Sequence, residues 1–146
     1  MNTTKVFVSA QIDEKDAARR AFAEFRAAGM TITHDWTTTD AIGDMRARCA
    51  EAGRRAQLDI DGVVGCDVYV LLSDNKCVGK GMYVELGAAL ALKATVRPEL
   101  RVCVVGPMNH SSIFYLHPDV EHYGSVAELL TSLSRYGSLA LVDIAG

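Results

Sequence analysis

The chain is predicted to be an α/β protein built on a single doubly wound parallel sheet of about five strands, with helices on both faces. Three observations predict it. Short β-branched and aromatic runs alternate with helical stretches along the chain. The strand runs are apolar at consecutive positions, as strands covered on both faces are. No repeat, linker or low-complexity segment interrupts the 146 residues, a length that suits one domain. Strand–helix alternation of this kind implies a parallel sheet with right-handed crossovers, a flavodoxin- or Rossmann-like arrangement.

The elements follow in order. KVFVSA (5–10) reads as a buried parallel strand. Asp13 to Ala28 reads as a helix, with Asp13 as N-cap, Asp16 in the first turn and Gly29 as the stop. Ala17, Ala18, Ala21, Phe22, Phe25 and Ala28 give it one apolar face. MTITH (30–34) is a second strand, Thr37 to Thr39 a loop, and Asp40 to Ala56 a polar, weak helix containing Gly43 and Gly53. DVYVLLS (67–73) is the clearest strand. A helix from Lys80 to Lys93 follows, then LRVCVVG (100–106), a loop rich in His, Ser and Asn, and a short strand VEHY (120–123). Ser125 to Tyr136 reads as a helix, with Ser125 as cap and Glu128 as its capping-box partner. LALVDIA (139–145) is expected to be a final strand or an extended tail.

Composition narrows the partners. Fifteen Lys and Arg against eighteen Asp and Glu leave a net charge of −3 with no basic cluster, which argues against a nucleic-acid partner. No stretch is long and apolar enough to suggest a membrane span. The opening MNTTKVFVSAQ lacks a signal-peptide core, so a cytoplasmic protein is expected. Cys49, Cys66, Cys77 and Cys103 form no Cys-x-x-Cys pair and read as free structural thiols, with Cys66 and Cys103 buried. His110, His117 and His122 show no ligand spacing, so neither a metal nor a cofactor is expected.

Doubly wound sheets bind ligands beyond the carboxyl ends of their strands, where the strand order reverses. The loops at that end are Ser9–Asp13, His34–Asp40, Ser73–Gly81 and Gly106–His117. Gly79-Lys80-Gly81 opens the helix that carries Glu85. Glycines there permit close backbone approach to a ligand, and a helix start favours an anion. Between Lys80 and Lys93, Glu85 is the one charged residue, and Ala88, Ala89 and Leu92 lie along its own face. A plain helix-dipole role is worth about 0.3–1 kcal/mol. An acid on a helix apolar nearly all round suits a chemical role better. Ionised in a partly desolvated cleft by the helix N-terminus, it would be a carboxylate nucleophile. Trp36, the lone tryptophan, offers either a stacking surface for a base or a cap on the sheet edge.

AQLDIDGVVGCDVYVLLSDN followed by GKGMYVELGAALAL resembles the nucleoside 2-deoxyribosyltransferase superfamily, including its deoxynucleoside monophosphate N-glycosidase branch. VVGPMNHSSIFYLHPDVEH is similar to a segment found in bacterial and phage members of that superfamily. The resemblance implies cleavage of an N-glycosidic bond in a deoxynucleoside or deoxynucleotide, with the sugar passed to water or another base. It implies Glu85 as the nucleophile at C1′ and Asp59 as the residue that positions the sugar or protonates the departing base. Asp61, close by, is able to exchange roles with Asp59. Asp67 reads as a strand-end anchor. Ser9, Trp36, Gly79, Lys80, Gly81 and Ser112 complete the expected substrate contacts. The loop after the first strand, Ser9-Ala10-Gln11-Ile12-Asp13-Glu14, has no glycine and two acids where nucleotide-hydrolysing members wrap a 5′-phosphate, which leaves the 5′ group open.

Two other classes fit the same fold: a nucleotide-sensing domain without turnover, and an NAD glycohydrolase related to Toll/interleukin receptor-type domains. The few polar residues of the 80–93 helix, with the small residues Gly87, Ala88 and Ala91, predict a homodimer or larger homo-oligomer.

Overall fold

The computed structural model describes residues 3–77 and 79–145, with side chains described as far as residue 135. Five strands, β1 (Lys5–Ser9), β2 (Thr31–Ile32), β3 (Val68–Leu72), β4 (Arg101–Val105) and β5 (Val120–Tyr123), form a parallel sheet in the order β2-β1-β3-β4-β5. Four helices connect or follow them: α1 (Lys15–Ala27), α2 (Cys49–Val64), α3 (Lys80–Thr95) and α4 (Val126–Ala145). The doubly wound α/β architecture is the one the alternation predicts. The strand order reverses between β1 and β3, which makes their carboxyl ends the switch point.

The period-two alternation of side chains divides the core. Val6, Val8, Val68, Val70, Cys103 and Val105 face α1 and α4, where Phe22, Phe25 and Leu129 meet them. Phe7, Tyr69, Leu71, Val102 and Val104 face the other side, against Val63 of α2 and Met82, Leu86, Ala89 and Leu90 of α3. Phe7 pairs in register with Tyr69, and their rings stack with centroids 6.1 Å apart. Ser9 continues the row of Phe7, so its side chain belongs to the α2/α3 side. Phe22 and Phe25 are both fully covered, each worth about 1.5–3 kcal/mol of burial.

Several boundaries differ from expectation. Glu14, not Asp13, occupies the cap of α1, with no side-chain cap bond. Asp13 is held instead by Gln11, whose side chain accepts from the Asp13 amide and donates to its carboxylate. Gly29 does stop α1, in the left-handed region at φ 84°. β2 is two residues long because Thr33 turns its hydroxyl to the Gly62 carbonyl at 2.9 Å, ending the strand against α2.

The second helix is displaced by about two turns from the Asp40–Ala56 prediction. Gly43 has φ 76°, and the Asp44 carboxylate accepts from the amides of Arg46 and Ala47, a local turn that competes with a helix. The helix starts at Cys49, and Glu51 pairs with Arg54 and Arg55 across its first turns. Residues 139–145 are neither strand nor extended tail. They continue α4 past Tyr136, because Leu and Ala are strong helix formers and a short apolar run has no period of its own. The start of α4 is as expected: Ser125 accepts from the Glu128 amide at 3.2 Å, and Glu128 reaches back to the Gly124 amide.

Asp67 stands at the amino end of β3, away from the switch point. Its carboxylate accepts from the Lys5 amide at 2.9 Å and pairs with Arg97. Cys66 and Cys103 are buried and Cys49 and Cys77 exposed, all four free thiols. No helix among the described residues is long and apolar enough to cross a membrane.

Candidate active site

The carboxyl ends of β1 and β3 and the first turns of α3 converge on Glu85. Ser9, the last residue of β1, is fully buried, and its Oγ donates to Glu85 Oε2 at 2.6 Å. That bond joins the two elements at the switch point. The backbone of Gly79 lies so close to the loop after β1 that a Cβ there would stand 3.2 Å from Gln11 Cα and 2.8 Å from Met82 Sδ. Glycine at 79 is therefore needed for α3 to enter at this height. Gly81 is one turn before Glu85, and the nearest atom to a Cβ built on it is Glu85 Oε1, 4.0 Å away. The absence of a side chain keeps the approach to the carboxylate open.

The environment of Glu85 is the strongest feature of the site. Burial pushes its carboxyl up to about 8; the Ser9 hydrogen bond opposes this, and the charge of Asp59 adds to it. The sequence reading, in which the helix N-terminus keeps Glu85 ionised, is corrected. Glu85 sits in the second turn of α3, and the dipole acts mainly within the first. Desolvation outweighs what remains of it.

Asp59 projects from α2. Its carboxyl is raised by burial, against the charges of His34 and Arg55. His34 Nε2 lies 3.5 Å from Asp59 Oδ1. Asp61, two residues on, points to the exposed side of α2. The fold thus brings Asp59, not Asp61, to the same electrostatic neighbourhood as Glu85. Two carboxyls of raised proton affinity, one of them with a histidine beside it, are the groups here suited to acid–base chemistry.

The remaining expected residues divide. Gly79, Lys80 and Gly81 form the start of α3, with Lys80 exposed. Trp36, in a single 3-10 turn after β2, donates its indole N–H to the Val8 carbonyl at 2.8 Å and packs against both core layers. It caps the sheet edge while remaining partly exposed. Ser112 is not brought to Glu85 by any contact. Its hydroxyl accepts from the Phe114 amide and it lines a groove of about 410 Å³ under the 108–116 loop. His110, His117 and His122 are engaged with Asn75 O, the Asp119 amide and Tyr115 O. Among the described residues no group of three or more His, Cys, Asp or Glu is arranged for a metal ion.

Sequence reasoning missed two contributors. Tyr69 is fully buried in β3, and its hydroxyl, held well above its usual range by burial and then by the charge of Glu85, donates to Met82 O at 3.3 Å. Its place in the odd-numbered row with Phe7 and Leu71 was the available signal. His34 lies in a loop at the ligand end of the sheet, and nothing in the sequence pairs it with Asp59.

No protein-family model matches the chain, and neither does any curated protein sequence. Among solved structures, the chain is similar to that of the Clostridium botulinum CMP N-glycosidase BcmB. The TM-score is 0.54 at 18% identity, over 90% of this chain and 99% of that one. The two share a fold. At this identity the likeness speaks to architecture and not to individual residues.

Proposed function

We propose that the protein cleaves the N-glycosidic bond of a deoxynucleoside or deoxynucleotide through a glutamyl glycosyl-enzyme intermediate, passing the sugar to water or to another base. The observation that carries this reading is the half-buried Glu85 carboxylate at the switch point, bonded to Ser9 and raised by burial and by the charge of a second carboxylate, Asp59. The motif resemblance to the nucleoside 2-deoxyribosyltransferase superfamily supports it, as does the fold shared with a CMP N-glycosidase.

The chemistry is that of a retaining glycosidase. Ionised Glu85 attacks C1′ as the C1′–N bond breaks, and the electron pair of that bond passes into the base. Asp59 gives the base a proton. In the second half, water or another base adds at C1′, the ester to Glu85 breaks, and Asp59 takes back a proton. Ser9 orients the nucleophile, Tyr69 and the apolar α3 wall exclude water, and the glycine-flanked start of α3 with Lys80 approaches the sugar and its 5′ group. The partly exposed face of Trp36 offers an apolar surface to the base.

We place this activity in the cytoplasm and in a homodimer. The outer stripe of α3, Val84, Gly87 and Ala91, is exposed and carries no charge, with Val84 64% accessible, and such a stripe suits pairing with its own copy. Sedimentation at micromolar concentration checks it, a stable 15.8 kDa species being the contrary result.

The activity is tested by incubating the protein with deoxynucleosides, deoxynucleotides and NAD and measuring free base, with Glu85→Ala as the control. Base from a deoxyribosyl substrate, lost in the variant, supports the proposal. Nicotinamide release would move the protein to the NAD glycohydrolases, and binding without any release to the sensing domains.

A further inference from the structure

Asp59 is held beside His34 by a specific piece of packing. Gly62, one turn after Asp59 on α2, is buried against β1 and the end of β2. A Cβ there would stand 2.8 Å from the Phe7 ring and 3.1 Å from His34 Cβ. Without a side chain at 62, α2 settles onto Phe7 and His34, and the Thr33 hydroxyl binds the Gly62 carbonyl at 2.9 Å. This fixes the height of α2 so that Asp59 Oδ1 faces His34 Nε2 at 3.5 Å, with the side chains 31% and 22% exposed.

The other charged groups near Asp59 are Arg55 and Glu85. Arg55 is committed elsewhere, its Nε on Glu51 at 3.0 Å and its NH1 on the Asp40 carbonyl, and a guanidinium gives up no proton near neutral pH. Glu85 is engaged with Ser9. His34, whose Nε2 faces the carboxylate at 3.5 Å, is the neighbour whose ring nitrogen can exchange a proton with it.

We propose that His34 is the proton partner of Asp59: the facing imidazole and carboxyl share one proton, which Asp59 hands to the departing base and the pair recovers when water adds. This rests on the glycosidase reading of Glu85. In the first step the proton on the Asp59 carboxyl moves to a ring nitrogen of the base as the C1′–N bond pair enters that ring and Glu85 bonds to C1′. In the second step water bonds to C1′, the Glu85–C1′ bond breaks with its pair returning to the carboxylate, and the water proton returns to Asp59 beside His34. His34 acts through Asp59 and is a positioning residue.

The test uses leaving groups that differ in their need for a proton. The deoxyribosyl substrate cleaved fastest is compared with its counterpart methylated on a base ring nitrogen (N7 of a purine, N3 of cytosine), whose cationic base departs without protonation. His34→Ala is expected to lower kcat on the unmodified substrate by about 10²-fold and to leave the methylated substrate within about threefold. His34→Gln, which can still hydrogen-bond to Asp59 but cannot titrate, should behave as His34→Ala does and serves as the second variant should the first fail to fold. Equal losses on both substrates, or no loss on either, overturn the inference while leaving Glu85 as nucleophile. Failure of the wild type to cleave either substrate overturns the glycosidase reading and this inference with it.

Discussion

The two ends of the sheet hold similar side chains and treat them in opposite ways. At the amino end, Arg101 of β4 meets the Glu121 carboxylate through both Nε, at 3.0 Å, and NH2, and the same guanidinium bonds Tyr123 and Ser132. Burial alone would raise Glu121, but the bonds from Arg101 and Tyr123 outweigh it and hold the carboxyl below its usual range. Close by, Arg97 spans Asp67 and the Cys66 carbonyl, and Lys93 Nζ donates to the carbonyls of Pro98 and Leu100. At the carboxyl end, Glu85 has one neutral donor and a second carboxylate for company, and its carboxyl is pushed up to about 8. Where charge is buried for structure it is matched by opposite charge and several donors. Where it is buried without that match, stability is given up, and such sites are where chemistry is usually found.

The comparison is broken most directly at Glu85. Glu85→Ala should lower base release by several orders of magnitude while the far-ultraviolet spectrum and sedimentation remain unchanged. Near-normal turnover in that variant would remove the nucleophile from the mechanism. Asp59→Asn should cost about 10²–10⁴-fold in kcat. Asp61→Asn, on the exposed side of α2, should stay close to wild type, and the reverse ranking of this pair would show that the wrong carboxylate had been chosen.

The ends should also differ in stability against pH. The Glu85 carboxyl is raised in the folded state from 4.5 to about 8, so its contribution is most favourable below 4.5 and is lost as pH rises through about 8. Glu85→Gln should therefore gain stability over wild type as pH rises, by on the order of 2–4 kcal/mol at pH 9. Thermal melts of both proteins from pH 5 to 9 read this, and a difference that does not grow with pH would contradict the burial of that charge. Activity needs Glu85 ionised and Asp59 protonated together, so kcat/KM should rise as Glu85 ionises and fall again as Asp59 gives up its proton, a bell-shaped profile.

The smallest effect is expected at the matched end. Glu121→Gln should cost roughly 1–3 kcal/mol, because it replaces the charged acceptor of two guanidinium bonds and of the Tyr123 hydroxyl with a neutral amide, and it should leave kcat unchanged. The sign with pH is opposite to that of Glu85. A lowered carboxyl contributes stability above 4.5 that is lost as pH falls through its folded value. A variant that lost activity in proportion to stability would show that the two ends are coupled rather than separate.

The sequence by itself determined the architecture and the central acid. Runs such as KVFVSA and DVYVLLS have enough consecutive apolar residues to require cover on both faces, and their alternation with helices leaves few topologies other than the doubly wound sheet. Glu85 was legible because local composition alone isolates it on an apolar helix, and Asp67 because an Asp opening a central strand tends to bind nearby backbone. Tertiary structure decided what depends on contacts distant in sequence. Asp59 and Asp61 are equivalent by spacing, and the seating of α2 at Gly62 on Phe7 and His34 sets one of them beside His34 and leaves the other to solvent. The second helix began later than its composition implied because Gly43 and Asp44 favoured a turn, and residues 139–145 joined α4 because nothing local separates an apolar strand from an apolar helix end. The protonation of Glu85 was the least accessible of all. A helix dipole can be read from position along the chain, but desolvation is set by how the packed elements, with Ser9 of β1 bonded to the carboxylate, remove it from water, and that is a property of the packed molecule alone.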